Sequence, residues 1–174
     1  DAPTLSISDV SVVEGVDAVF AVSLNKPSFE SITVALATAE GTALDPEDYT
    51  GYSGGSITFA PGETSKNITI ATIDDAIYEV TENFTLNGEV TSGTTVNTTA
   101  SGTGTITDND GDAPTLSISD VSVVEGVDAV FAVSLDKPSF ESITVSLATA
   151  EGTALDPEDY TGYSGGAITF APGE

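Results

Sequence analysis

The chain has no cysteine, methionine, tryptophan or histidine, and its only basic residues are Lys26, Lys66 and Lys137. Each absence excludes something. Without cysteine no disulfide staples the fold, and without cysteine or histidine structural zinc and soft transition-metal sites have no ligands. Three lysines against 28 acidic residues, a net charge of −25, exclude nucleic acid as a partner, because phosphate recognition needs clustered cations. An anionic membrane surface is excluded for the same reason. No apolar run reaches the roughly 18 residues of a membrane span, so no membrane insertion is expected in this segment.

What is present is a hydrophobic content of 39%, enough for a packed core, so disorder is disfavoured despite the charge. The charge opposes compaction by self-repulsion unless something neutralises it. Bound cations would do so; a solvated, salt-adapted acidic surface is the alternative.

Residues 1–63 return at 112–174 with three differences, Asn25/Asp136, Ala35/Ser146 and Ser56/Ala167. The offset is too long for a solenoid unit of roughly 20–50 residues and suits one small domain. The expected organisation is a complete domain over 1–111 and the N-terminal half of a near-identical one over 112–174. It reads as a window on a longer tandem array. The second copy lacks counterparts of the segments at 64–107, and half a sandwich leaves its apolar face uncovered. Continuation of the chain or another molecule would complete it.

Period-2 alternation runs throughout, with no helical stretch. Phe20, Val22 and Leu24 alternate with Val19, Ala21 and Ser23, and Ile32, Val34 and Leu36 with Thr33, Ala35 and Ala37. Further strands are expected at Thr4–Val10, Ser56–Phe59, Asn67–Ile73, Asn83–Val90 and Gly102–Thr107, rich in Thr, Val and Ile. Turn signals separate them at Asn25-Lys26-Pro27, Asp45-Pro46, Gly54-Gly55, Pro61-Gly62 and Asn87-Gly88. About seven short strands in about 110 residues indicate an all-β, antiparallel sandwich.

Carboxylates cluster at strand ends: Asp74 and Asp75, then Glu79 and Glu82, then Asp108, Asp110 and Asp112, with Asp48 and Glu14 in other loops. Sandwich loops gather at two ends, so several of these groups can meet. All-oxygen ligation indicates a hard cation, and Ca²⁺ accepts about 6–8 oxygens in flexible geometry. Asp108-Asn109-Asp110-Gly111-Asp112 fails as an EF-hand loop, because Gly stands fourth and Ala113 sixth. Asp45 and Glu47 are read as turn and surface residues, and Asp112 as a junction ligand or a turn cap. Glu79 and Glu82 could satisfy the carboxyl separation of a glycosidase pair, but an acidic loop end offers no apolar pocket or aromatic platform, and no enzyme is expected. The sequons at Asn67, Asn83 and Asn97 are treated as chance matches in a Thr-rich chain.

Gly41-Thr42-Ala43, Asp48-Tyr49, the run Gly55 to Thr64, the run Ile73 to Phe84 and Ile106-Thr107-Asp108-Asn109-Asp110 together resemble the Calx-beta domain. The resemblance covers 1–111 and the available half of the second copy. It implies a seven-stranded immunoglobulin-like sandwich, repeated head to tail, that binds several Ca²⁺ ions at one end. Its ligand candidates are Glu14, Asp48, Asp74, Asp75, Glu79, Glu82, Asp108 and Asp110, with Ile77 contributing its backbone carbonyl. Ala76 and Asn109 depart from the fullest acidic pattern and imply fewer or weaker ions. Glu125 and Asp159 are the only counterparts in the second copy.

The near-identity of the copies points to a calcium-rigidified extender of a bacterial or archaeal surface adhesin or extracellular filament. Its expected partners are neighbouring identical repeats and filament contacts, and its expected location is extracellular or at the cell surface. The alternative is a calcium-sensing regulatory module of a membrane transporter or receptor.

Overall fold

The computed structural model describes residues 1–174. All regular elements are strands, and no helix is long and apolar enough to cross a membrane. Two compact units are present, 1–75 with 80–109 and 76–79 with 110–174.

The first unit holds β1 (Leu5–Ile7), β2 (Val10–Val13), β3 (Ala18–Leu24), β4 (Ile32–Glu40), β5 (Gly55–Phe59), β6 (Ser65–Ile70), β7 (Glu82–Ser92) and β8 (Thr99–Thr107). One sheet has the order β1-β3-β6 and the other β2-β8-β7-β4-β5. The sandwich is as expected, but one pairing is not antiparallel: β2 runs parallel to β8, Val10 opposite Gly104 and Val13 opposite Thr107. The expected single strand at Thr4–Val10 is split between the sheets. Ser8 exchanges bonds with Ala21 of β3, through its backbone N–H and its hydroxyl, both at 2.9 Å. Asp9 then accepts the Thr103 N–H of β8 at 2.8 Å. These two anchors carry the chain across from one sheet to the other.

The alternation read from the sequence is the burial pattern. Phe20, Val22, Ile32 and Val34 are fully buried, and every buried apolar side chain lies between Leu5 and Ile106. The first copy therefore closes its own core. At its centre Phe84 meets Phe20 edge-on and Tyr49 face-on. Asn87-Gly88, expected as a turn, lies inside β7, with Gly88 opposite Leu36 and Ala100. A Cβ there would sit 3.0–3.2 Å from Ile7, Val34 and Leu36, so the glycine serves sheet-to-sheet packing and not chain reversal.

The second unit carries β9 (Leu116–Ile118), β10 (Val133–Leu135), β11 (Ile143–Leu147) and β12 (Gly166–Phe170), as two-stranded sheets β9-β10 and β11-β12. Leu116, Ile118 and Phe131 are 42%, 51% and 53% exposed, where their counterparts Leu5, Ile7 and Phe20 are at 7% or less. Identical residues are thus exposed where nothing equivalent to β6, β7 and β8 covers them.

Candidate metal centre

The parallel β2–β8 pair explains why distant carboxylates meet. Both strands end at the same edge, and the Glu14 N–H donates to the Thr107 carbonyl at 3.0 Å. Glu82 opens β7 opposite Ile106, so it enters at that end too. Asp74 and Asp75 follow the bridge between Tyr49 and Thr72, which brings the segment after β6 beside the loop after β4. In that loop Asp48 closes its own turn: its carboxylate accepts the Leu44 N–H at 2.6 Å and its carbonyl accepts the Ile73 N–H at 2.9 Å.

Four of the nine expected ligands form two groups within the first unit. Glu14 and Asp75 place carboxylate oxygens within 4.8 Å of each other, and Asp48 and Glu82 do the same; Asp110 and Glu79 belong to the second unit. Glu14 and Glu82 are 5% and 8% exposed. Burying carboxylates at such spacing is costly unless they protonate or meet a cation, and the chain has few cations of its own to offer. Asp74, Asp108 and Ile77 stand outside these groups. The exposed Asp74 carboxylate instead accepts the Asn109 side-chain amide at 2.7 Å, while Asp108 and Ile77 are half-buried.

Asn109 has a role that its reading as a gap in an acidic run misses. Its backbone N–H donates to Glu14 Oε1 at 2.9 Å while its side chain holds Asp74. It ties the exit of β8 to both neighbouring loops. An amide can donate to a carboxylate where an aspartate cannot, and that chemistry was the available signal. Gly15 supports the same corner: its φ of +73° suits glycine, and a Cβ would lie 2.8 Å from Asp74 Cβ.

The electrostatics of this end reach the core. Burial pushes the Tyr49 phenol above its ordinary range, a bond with Thr38 works the other way, and the carboxylates of Glu40, Asp45 and Asp48 push it further up. The donor set of both groups is hard oxygen throughout, which fits Ca²⁺ and excludes thiophilic metals.

A family model described as the Calx-beta domain matches residues 3–110 and again 107–174. Calx-beta domains bind Ca²⁺. Sodium/calcium exchanger 1 of Canis lupus familiaris is 43% identical over 54 residues, which is 31% of this chain and 6% of the exchanger. Sodium/calcium exchanger 2 of Mus musculus is 47% identical over 47 residues, 27% of this chain and 5% of that protein. This chain therefore matches only a small part of the exchangers' length. Among solved structures, the apo form of the Calx CBD1 domain superposes with a TM-score of 0.50 at 23% identity, covering 62% of this chain and 99% of that one. The calcium-binding domain CBD12 of CALX1.1 gives 0.53 at 21% identity, covering 95% and 70%. At these identities the structures speak for the fold. The expected extracellular or cell-surface location is corrected by the relatives: in the sodium/calcium exchangers this domain lies on the cytoplasmic side of the membrane.

Proposed function

From the premise that the chain belongs to the Calx-beta domain family, we propose that it is a calcium-sensing regulatory module of the kind carried by sodium/calcium exchangers. The observation that carries the reading is the close approach of carboxylates within the first unit, Glu14 to Asp75 and Asp48 to Glu82. Each of these groups would hold one ion. Asp74, Glu79, Asp108, Asp110 and the Ile77 carbonyl are proposed as additional oxygen donors. Bound Ca²⁺ supplies positive charge where carboxylates crowd. The chain's own part is to fix the exit of β8: Asn109 holds it to Glu14 and Asp74, and neutralising the adjacent carboxylates removes the repulsion that would part these loops. Calcium occupancy thereby sets how firmly one copy hands over to the next. The role is binding and signalling without catalysis.

The exchanger relatives favour this reading over the adhesin extender suggested by the repeat, and an adhesive surface role is not retained. The test is thermal melting of residues 1–174 in EDTA and in millimolar Ca²⁺. Binding to the native state alone contributes RT ln(1 + [L]/Kd), about 2.7 kcal/mol at a hundredfold excess over Kd. For a domain of this size that raises Tm by on the order of 10 °C. An unchanged Tm sinks the reading.

A further inference from the structure

The turn after β3 reads Asn25-Lys26-Pro27-Ser28-Phe29-Glu30, and the turn after β10 reads Asp136-Lys137-Pro138-Ser139-Phe140-Glu141. The two have the same internal bonds. The Glu30 N–H donates to Ser28 Oγ at 3.0 Å and the Glu141 N–H to Ser139 Oγ at 3.2 Å. The Gly62 N–H donates to the Ser28 carbonyl at 2.9 Å and the Gly173 N–H to the Ser139 carbonyl at 2.8 Å. They are the same surface presented twice, but their surroundings differ.

Within the second unit this turn carries a seated segment, Ala76–Glu79. Tyr78 forms a parallel bridge with Ser139, and its carbonyl accepts the Phe140 N–H at 3.2 Å. Lys137 Nζ lies 5.9 Å from the centre of the Tyr78 ring and donates to the Asp110 carbonyl at 3.0 Å. Ser139 is 5% exposed in consequence. In the first copy the corresponding turn faces solvent: Phe29 is 88% exposed, and Lys26 and Ser28 are half-buried.

We propose that the Asn25–Glu30 turn of the first copy is a docking surface for the Tyr78-bearing acidic loop of another copy of this domain. The occupant follows from the second unit, where that loop is the segment seated on the corresponding turn, which differs only in Asp136 for Asn25. Charge supports it. Two of the chain's three lysines, Lys26 and Lys137, stand at this position, and the third, Lys66, is 3.0 Å from Glu63 in an ion pair. In a chain of −25, this turn is where an acidic loop finds a cation, and a lysine above a tyrosine ring adds a cation–π attraction. The contact is small, so the association is weak and concentration-dependent. The proposal does not rest on the calcium reading, and failure of the calcium test leaves it standing.

Residues 1–111 contain the whole buried core and carry both the turn and the loop, without the second copy that occupies the loop. Sedimentation velocity of this domain in Ca²⁺ and in EDTA, up to its solubility limit, should show head-to-tail oligomers in at least one buffer. Lys26→Glu and Tyr78→Ala should each reduce association at least tenfold, with melting curves verifying the fold of each variant. Mixed together, the two variants retain one intact loop and one intact turn, and should give a 1:1 dimer and nothing larger. A domain that stays monomeric in both buffers, or oligomers indifferent to Lys26→Glu, overturns the proposal.

Discussion

The ring of Tyr49 lies flat on that of Phe84, with centroids 4.2 Å apart and planes 13° from parallel. Tyr49 is 1% exposed, and burial holds its phenol above the ordinary value near 10. The folded state therefore keeps a proton that the unfolded state gives up. The resulting stability is complete below the unfolded value and is lost as pH rises through the higher folded one. An alkaline titration followed by phenolate absorbance should show one tyrosine ionising late, together with loss of structure. Simultaneous ionisation of all five tyrosines in an intact fold would contradict this.

The two carboxylate groups should be separable. Asp75→Asn weakens the group with Glu14, and Glu82→Gln the group with Asp48. Titration calorimetry is expected to show each variant losing at least tenfold in affinity at one class of site, with the other class retained. Glu47→Gln, at an exposed residue of the neighbouring turn, serves as the control and should leave the isotherm unchanged.

Gly15 and Gly126 occupy the same place in the two copies with φ of +73° and +84°, but only at Gly15 would an added Cβ meet a near neighbour, Asp74 Cβ at 2.8 Å. Gly15→Ala should cost roughly 1–3 kcal/mol by backbone strain, plus the displacement of Asp74, and should weaken calcium binding. Gly126→Ala incurs the strain alone and should leave calcium affinity untouched. Equal calcium affinities for the two variants would refute the packing argument.

Asn97 ties the N-terminal strand to the opposite sheet. It accepts the Leu5 N–H at 2.9 Å and donates to the carbonyls of Leu5 and Thr99 at 2.9 and 2.8 Å. Asn97→Ala leaves those groups short of partners, at a cost of about 1–3 kcal/mol. Urea denaturation should register it as a lower midpoint with an unchanged slope; a midpoint within error of the parent would rule it out.

The features legible in the sequence were those settled by neighbouring residues. Phe20, Val22, Leu24 and Ile32, Val34, Leu36 declare their strands by alternation, and these are the residues the core buries. The carboxylates at 74–82 and 108–112 are conspicuous because they cluster locally. Their grouping was hidden, since Glu14 meets Asp75 only through a parallel β2–β8 pair. That pair depends on the sheet switch at Ser8 and Asp9, whose partners Ala21 and Thr103 are distant in sequence. Asn87-Gly88 misleads for a related reason. The dipeptide is a turn signal on local grounds, but here the glycine answers to Ile7 across the sandwich and to Val34 on the neighbouring strand. Asn109 looked like a missing acid until its two donors were seen to face two carboxylates.

The parallel β2–β8 ladder also has a mechanical meaning. β2 lies near the start of the first copy and β8 at its end, so tension along the polypeptide pulls the two strands in opposite directions along their length. Ladder bonds loaded this way slide together as a set, whereas an antiparallel hairpin pulled at its open end unzips rung by rung. The four paired positions from Val10 to Val13 thus form a shear clamp across the ends of the domain, with the acidic corner immediately beyond it.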